Sequence, residues 1–166
     1  MVVQLLKEGT ASVRRCSATL PKRTGIVRGG AVEMFLDKLE KSPALRVLIV
    51  DDEPLIRWSM SETLAQTGHT VPEAGDAKET LRRLAAEPAP DVILLDYRLP
   101  DSNDLKLLEM IRRIAPLSSV VMMTAFGTSA VQTGALKLGA FRVLTKPLEM
   151  SELSGLVRQA YESRPH

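Results

Sequence analysis

Cysteine occurs once in the 166 residues, at Cys16, so no disulfide can form within the chain. That excludes a disulfide-stapled extracellular mini-domain and suits a reducing compartment. Aromatic residues are scarce as well, at 4%, with one Trp, two Tyr and three Phe. So few rings leave little for stacking on nucleobases or a flavin. Long apolar runs are missing too, and stretches such as Val120 to Ala125 fall far short of the ~20 residues of a membrane span. No secretory leader is visible, because Lys7, Glu8, Arg14 and Arg15 interrupt any apolar core near the start. The glycines Gly25, Gly29 and Gly30 follow no strand and lead to no Lys-Ser/Thr pair, which excludes a P-loop. The two histidines, His69 in the turn Thr67-Gly-His-Thr70 and His166 at the end, are expected in solvent, with no metal or phosphohistidine role. Together these absences predict a soluble, cytoplasmic protein.

What is present is ordinary for one folded domain of roughly 100–150 residues: 45% hydrophobic and 25% charged. Charge is unevenly placed. Residues 1–45 hold eight basic and four acidic groups, a net +4, against −2 for residues 46–166, which together give the chain's +2. The basic stretch has no sustained periodicity, and its Pro, Gly, Ser and Thr punctuation predicts a flexible extension. A nucleic-acid or partner contact, and a true start at Met34, are the other readings. No aromatic residue precedes Phe35, a poor footprint for nucleic acid. Val32 to Leu39 can form a short helix leading into the domain.

From Arg46 onward, short apolar runs alternate with amphipathic stretches. Arg46 to Val50 reads as a buried strand that stops at Asp51-Asp52. Pro54 suits a first helical turn, with Leu55, Met60, Leu64 and Ala65 at near-helical spacing up to Gly68. His69 to Ala74 is a weak second strand. Asp76 caps a helix over Lys78 to Ala86, with Glu79 completing a capping box. Asp91 to Leu95 is a third strand ending at Asp96, followed by a helix over Leu105 to Ile114. Val120 to Met123 is a fourth strand ending at Thr124, and Ser129 to Leu138 a helix stopped by Gly139. Phe141 to Leu144 is a fifth strand, and Leu148 to Tyr161 a closing helix. No internal repeat competes with this pattern. Five strands alternating with five helices predict a parallel sheet covered by helices on both faces, with right-handed crossovers.

In such a doubly wound sheet, ligand chemistry gathers beyond the carboxyl ends of the strands. Asp51, Asp52, Asp96, Thr124 and Lys146-Pro147 all fall there. Three carboxylates brought together repel unless a cation sits among them, and hard oxygen donors favour Mg²⁺. Lys146 supplies an ammonium that neutralises part of the cluster and can hold a phosphate oxygen, and Thr124 a hydroxyl donor. A carboxylate nucleophile beside a divalent ion and a lysine is suited to accepting a phosphoryl group. The residues do not identify the donor.

Leu48-Ile-Val-Asp-Asp-Glu-Pro54, Asp91-Val-Ile-Leu-Leu-Asp96 with Pro100, Met123-Thr-Ala125 and Lys146-Pro147, in this order and spacing, resemble the receiver domain of two-component response regulators. The resemblance runs from about Arg46 to Glu162. Ile56-Arg-Trp58 and Met123 to Thr128 look most similar to receivers of nitrogen-regulator-type activators. The resemblance implies a flavodoxin-like (βα)5 domain over residues 46–163. It implies Asp96 as phosphoacceptor, Asp52 as a direct Mg²⁺ ligand, Asp51 as an indirect one, and the Arg98 main-chain carbonyl as a further ligand. Thr124 would bond the phosphoryl oxygen, Lys146 would pair with the phosphate or with Asp96, and Pro147 would follow a cis peptide. A sensor histidine kinase would be the donor. The surface from Ser129 to Tyr161 would be read by a downstream protein, an output domain or a second copy. Direct contact with nucleic acid or membrane is not expected of this domain. No stretch after Glu162 is long enough for an output domain, so a stand-alone receiver and a piece of a longer regulator both remain open.

Two positions depart from the family's pattern. Val143 stands where the family usually has Tyr or Phe, so no aromatic rotamer switch is expected there. Phe141, two positions away, would face the same side of a regular strand. Second, Asp101-Ser-Asn-Asp104 replaces a loop that usually contains glycine; Asn103 or Asp104 is expected to tolerate its conformation. A phosphatase-like enzyme with an aspartyl nucleophile would need a second acid two residues after Asp96, where Arg98 stands. The expectation is therefore a phosphoacceptor and not an enzyme, with a non-phosphorylated pseudo-receiver as the alternative.

Overall fold

The computed structural model describes residues 43–164. The expectations for Cys16, for a helix over Val32 to Leu39, for the extension through residue 42 and for His166 lie outside the described residues. Five parallel strands form one sheet in the order β2-β1-β3-β4-β5. They are β1 (Val47–Val50), β2 (Glu73–Ala74), β3 (Val92–Asp96), β4 (Ser119–Thr124) and β5 (Arg142–Thr145). Between them run α1 (Pro54–Gln66), α2 (Ala77–Ala86), α3 (Lys106–Ile114) and α4 (Ser129–Lys137). A 3₁₀ turn (Met150–Glu152) and α5 (Leu153–Glu162) close the domain.

The central strands are apolar on both faces because helices cover both. Leu48, Val50, Ile93, Leu95, Val120 and Met122 pack under α2, α3 and α4 through Leu84, Leu107, Leu108, Ile111 and Ala135. Val47, Ile49, Val92, Leu94, Val121 and Met123 pack on the other face under α1 and α5, against Met60, Leu64, Leu153 and Val157. Alternate residues of each strand thus feed two different cores, as a period of two requires. Among the described residues no helix is long and apolar enough to cross a membrane.

Several boundaries differ from expectation for local reasons. Only Glu73–Ala74 of the expected second strand is a ladder. Pro72 accepts a bond from the Ile49 amide at 3.0 Å but has no N–H to return, so the pairing breaks there. Leu55 and Ala65 are exposed, not on the buried face of α1. At 100° per residue they lie well off the line joining Met60 and Leu64. The closing helix starts at Leu153, after the 3₁₀ turn, and not at Leu148. His69 is half-buried, because its Nδ1 accepts the Leu45 amide at 3.2 Å. Phe141 lies outside β5, whose first residue is Arg142. It packs with the core under α1 and α5, whereas Val143 packs with the opposite core. Phe141 therefore offers nothing on the face of Val143.

Candidate functional site

Strand order reverses between β1 and β3, since β1 leads outward to β2 while β3 leads to β4 and β5. The crevice at that reversal, beyond the strands' carboxyl ends, is where loops splay apart and leave room for a ligand. Asp51 follows β1 directly, Asp96 is the last residue of β3, and Thr124 the last of β4. Register aligns them: Leu95 pairs with Val50, and Asp96 with Met123. Lys146 follows β5, and its amide donates to the Thr124 carbonyl at 2.9 Å. The next peptide, Lys146–Pro147, is cis.

The Lys146 ammonium reaches across the sheet end, donating to Asp96 Oδ2 at 2.5 Å and to Asp51 Oδ2 at 2.8 Å. Glu53 lies further out, 3.6 Å from the same nitrogen. Each buried aspartate also takes a backbone amide two residues on: Glu53 N donates to Asp51 Oδ1 at 2.9 Å, and Arg98 N to Asp96 Oδ1 at 3.0 Å. Thr124 Oγ1 accepts the Phe126 amide at 3.2 Å, which leaves the hydroxyl proton available for another acceptor. Asp52 is exposed at the rim. One carboxylate oxygen from each of Asp51, Asp52 and Asp96 lies within 4.8 Å of the others.

The charges are not in balance. Burial pushes the Asp96 carboxyl above the usual range, more than the Lys146 and Arg98 hydrogen bonds pull it down, and the Asp51 charge adds to the rise. Burial by itself would lower Lys146, but the hydrogen bonds to Asp51 and Asp96 override it and hold the ammonium above its ordinary value. The two directions have one cause: a single ammonium with two carboxylate partners is well compensated, and the desolvated Asp96 carboxyl that shares it is not. Three converging hard oxygens with one ammonium between them fit a divalent cation of the Mg²⁺ kind, which needs few protein ligands.

A pocket of about 360 Å³ opens over this cluster, lined by Asp52, Asp96, Arg98, Leu99, Phe126 and Lys146 among others. The Arg98 guanidinium sits 5.6 Å from the centroid of the Phe126 ring, which is largely exposed at the pocket mouth.

A family model described as the response regulator receiver domain matches residues 47–158. The chain belongs to this family. It is 41% identical over 119 residues to the response regulator protein PilR of Pseudomonas aeruginosa, a match covering 72% of this chain and 26% of that protein. It is 37% identical over 114 residues to the DNA-binding transcriptional regulator NtrC of Escherichia coli, covering 69% of this chain and 24% of that one. The chain thus spans about a quarter of the length of these relatives. A response regulator receiver domain protein (CheY-like) from Methanospirillum hungatei superposes with a TM-score of 0.69 at 28% identity, covering 72% of this chain and 95% of that one. The nitrogen-regulator-like character of the sequence is shared by these relatives.

Within this receiver domain, Asp51, Asp52, Asp96, Thr124, Lys146 and Pro147 all stand at one sheet end, and the Arg98 amide touches Asp96. Sequence reasoning gave no role to Arg57, whose Nη1 donates to the Asp51 carbonyl at 2.5 Å. The signal lay in its place one turn into the helix that follows the acid pair. Asp101 was also unassigned: its carboxylate takes the Ala77 and Lys78 amides at 2.8 and 3.0 Å, tying the loop after Asp96 to the start of α2. Glu79 departs from a strict capping box, since it reaches Gly75 N at 3.3 Å and not the amide of Asp76.

Proposed function

We propose that Asp96 is the residue of this receiver domain that takes a phosphoryl group, with a sensor histidine kinase as the donor. The observation that carries this reading is the Lys146 ammonium held between Asp51 and Asp96 under an open pocket. A carboxylate oxygen of Asp96 attacks phosphorus, the P–N bond to the kinase histidine breaks, and an acyl phosphate forms. Lys146 then has an anionic phosphoryl oxygen to bind in place of the Asp96 carboxylate, and the Thr124 hydroxyl proton gains an acceptor. Asp51, Asp52, Asp96 and the Arg98 main-chain carbonyl would hold Mg²⁺, which offsets charge on the incoming oxygens. The domain assists its own phosphorylation and dephosphorylation without turning over an external substrate, since Arg98 stands where a hydrolase would need an acid.

Phosphorylation acts on a conformational balance, and only a difference in affinity between two states can shift it. With Val143 in place of an aromatic residue, coupling is expected to run through Thr124 and α4 without a ring rotation. The surface from Ser129 to Tyr161 is the proposed output face, read by a downstream protein, an output domain or a second copy in the cytoplasm. A groove of about 550 Å³ lies on it, lined by Leu144, Leu148, Leu156 and Gln159 with Arg142 and Glu149 at its edge. A related receiver, that of NtrC4, forms a dimer when activated by beryllofluoride (30% identity, TM-score 0.64, covering 70% of this chain and 96% of that one).

The test is intact-mass spectrometry after incubation with acetyl phosphate, with and without Mg²⁺, on wild type and Asp96→Asn. A Mg²⁺-dependent gain of one phosphoryl group, absent in the variant, is the expected result. A protein that gains none and also fails to bind BeF₃⁻ is a receiver-shaped binding module, the alternative that Asp52, Asp96 and Lys146 argue against.

A further inference from the structure

Arg57 stands in the first turns of α1 and reaches back toward the sheet. Its Nη1 donates to the Asp51 carbonyl at 2.5 Å, and its Nε to Glu73 Oε2, on β2, at 3.2 Å. Asp51 is wholly buried, and its amide is already bonded to the Ala74 carbonyl at 3.1 Å. Its own carbonyl lies past the last ladder residue of β1 and needs a donor from outside the sheet. That carbonyl belongs to the planar peptide joining Asp51 to Asp52, so holding it holds the plane from which the Asp52 side chain leaves the backbone.

We propose that Arg57, braced by Glu73, is a positioning residue for the acidic rim: it sets the Asp51–Asp52 peptide so that the exposed Asp52 carboxylate turns toward the cation taken by Asp51, Asp52 and Asp96. This rests on the Mg²⁺ reading of the site given above. Geometry and not net charge carries the effect, because Glu73 already neutralises the guanidinium. The side chain is only 19% exposed and spans two acceptors on two strands' ends. A lysine keeps the charge but cannot present two fixed donors in one plane.

Calorimetric titration of MgCl₂ into the full chain tests this, on wild type, Arg57→Ala, Arg57→Lys and Glu73→Gln, with the Tm of each recorded. Both Arg57 variants are expected to weaken Mg²⁺ binding by about tenfold, and Glu73→Gln by less. Phosphorylation by acetyl phosphate is expected to be slow in these variants at limiting Mg²⁺ and to recover at saturating Mg²⁺. If Arg57→Ala does not fold, Arg57→Lys and Glu73→Gln decide the same question. Unchanged Mg²⁺ affinity in folded variants, whatever their Tm, overturns the proposal. So does Arg57→Lys binding like wild type, which would leave charge alone as the cause. A wild type that takes no Mg²⁺ sinks the functional reading together with this one, whereas a wild type that binds with unaffected variants sinks this one only.

Discussion

At the carboxyl ends of the strands, buried carboxylates outnumber the cations that reach them; at the opposite end of the same sheet, the charges are paired and spread out. There Asp91 accepts the Arg46 amide at 2.9 Å and is bridged by Arg164. Arg46 in turn pairs with Glu87 and donates to the Pro88 carbonyl at 3.1 Å, and Arg83 joins Glu87 to Glu79. Ser118 closes the layer by donating to the Pro90 carbonyl at 2.6 Å. Similar residue types serve both ends, and only their balance differs. Satisfied pairs at the lower end hold loops in register. The upper end, hydrogen-bonded but short of positive charge, keeps a standing attraction for a cation and a phosphoryl group, at some cost to the fold.

Breaking the upper end is expected to have the largest effect. Asp96→Asn should abolish phosphoryl uptake as read by intact mass, while leaving the circular-dichroism spectrum unchanged; residual Mg²⁺-dependent labelling would move the acceptor elsewhere. Asp52→Ala should weaken Mg²⁺ about tenfold or more. Its Tm should hold or rise, since one of three mutually repelling carboxylates is gone. A fall in Tm with unchanged Mg²⁺ titration would reverse the contrast between the ends. Asp91→Ala sharpens the comparison from below. It strands the Arg46 amide and the Arg164 cation, costing about 1–3 kcal/mol, while Mg²⁺ affinity stays at the wild-type value.

Phe126→Ala is expected to have a smaller effect. Removing the ring beneath Arg98 opens the pocket mouth and should alter the lifetime of the phosphorylated state by a few-fold, and equal decay rates would remove the idea. The smallest effect belongs to His69. Burial, then the Arg158 charge, hold its pKa below the ordinary value, with Asp91 opposing. The unfolded chain therefore binds the extra proton first. The stabilisation is present above the unfolded pKa of about 6.5 and is lost as pH falls through the lower folded value. Wild-type Tm should accordingly drop more steeply than that of His69→Gln on acidification. Parallel curves would show that burial and Arg158 do not hold the His69 pKa down.

Much of this was legible in the order of residues. The β-branched and leucine-rich runs ending in acids marked β1 and β3, because a strand buried on both faces must be apolar until it emerges. Asp76 and Gly139 marked helix ends through bonds within a few residues. Less legible was anything that depended on leaving that range. Phe141 was expected on the face of Val143 by alternation, but alternation holds only inside a ladder, and β5 begins one residue later. His69 was expected in solvent because it sits in the turn Thr67-Gly-His-Thr70; it is half-buried, and the Leu45 amide, distant in sequence, donates to it. Asp101 and Asp104 stand in a loop where glycine was the reference. The structure adds that Asp101 takes the first two amides of α2, a contact no local pattern encodes.

The sequence by itself determined the alternation of strands and helices, the family and the set of polar residues at strand ends, since these follow from periodicity, caps and ordered motifs along the chain. Tertiary structure alone decided that Lys146 would be shared by Asp51 and Asp96, that Asp52 would stay at the rim, and that Arg57 would grip the Asp51 carbonyl. Those outcomes depend on strand order and on how much water each charge loses, and desolvation is a property of the packed assembly that no single stretch of residues carries.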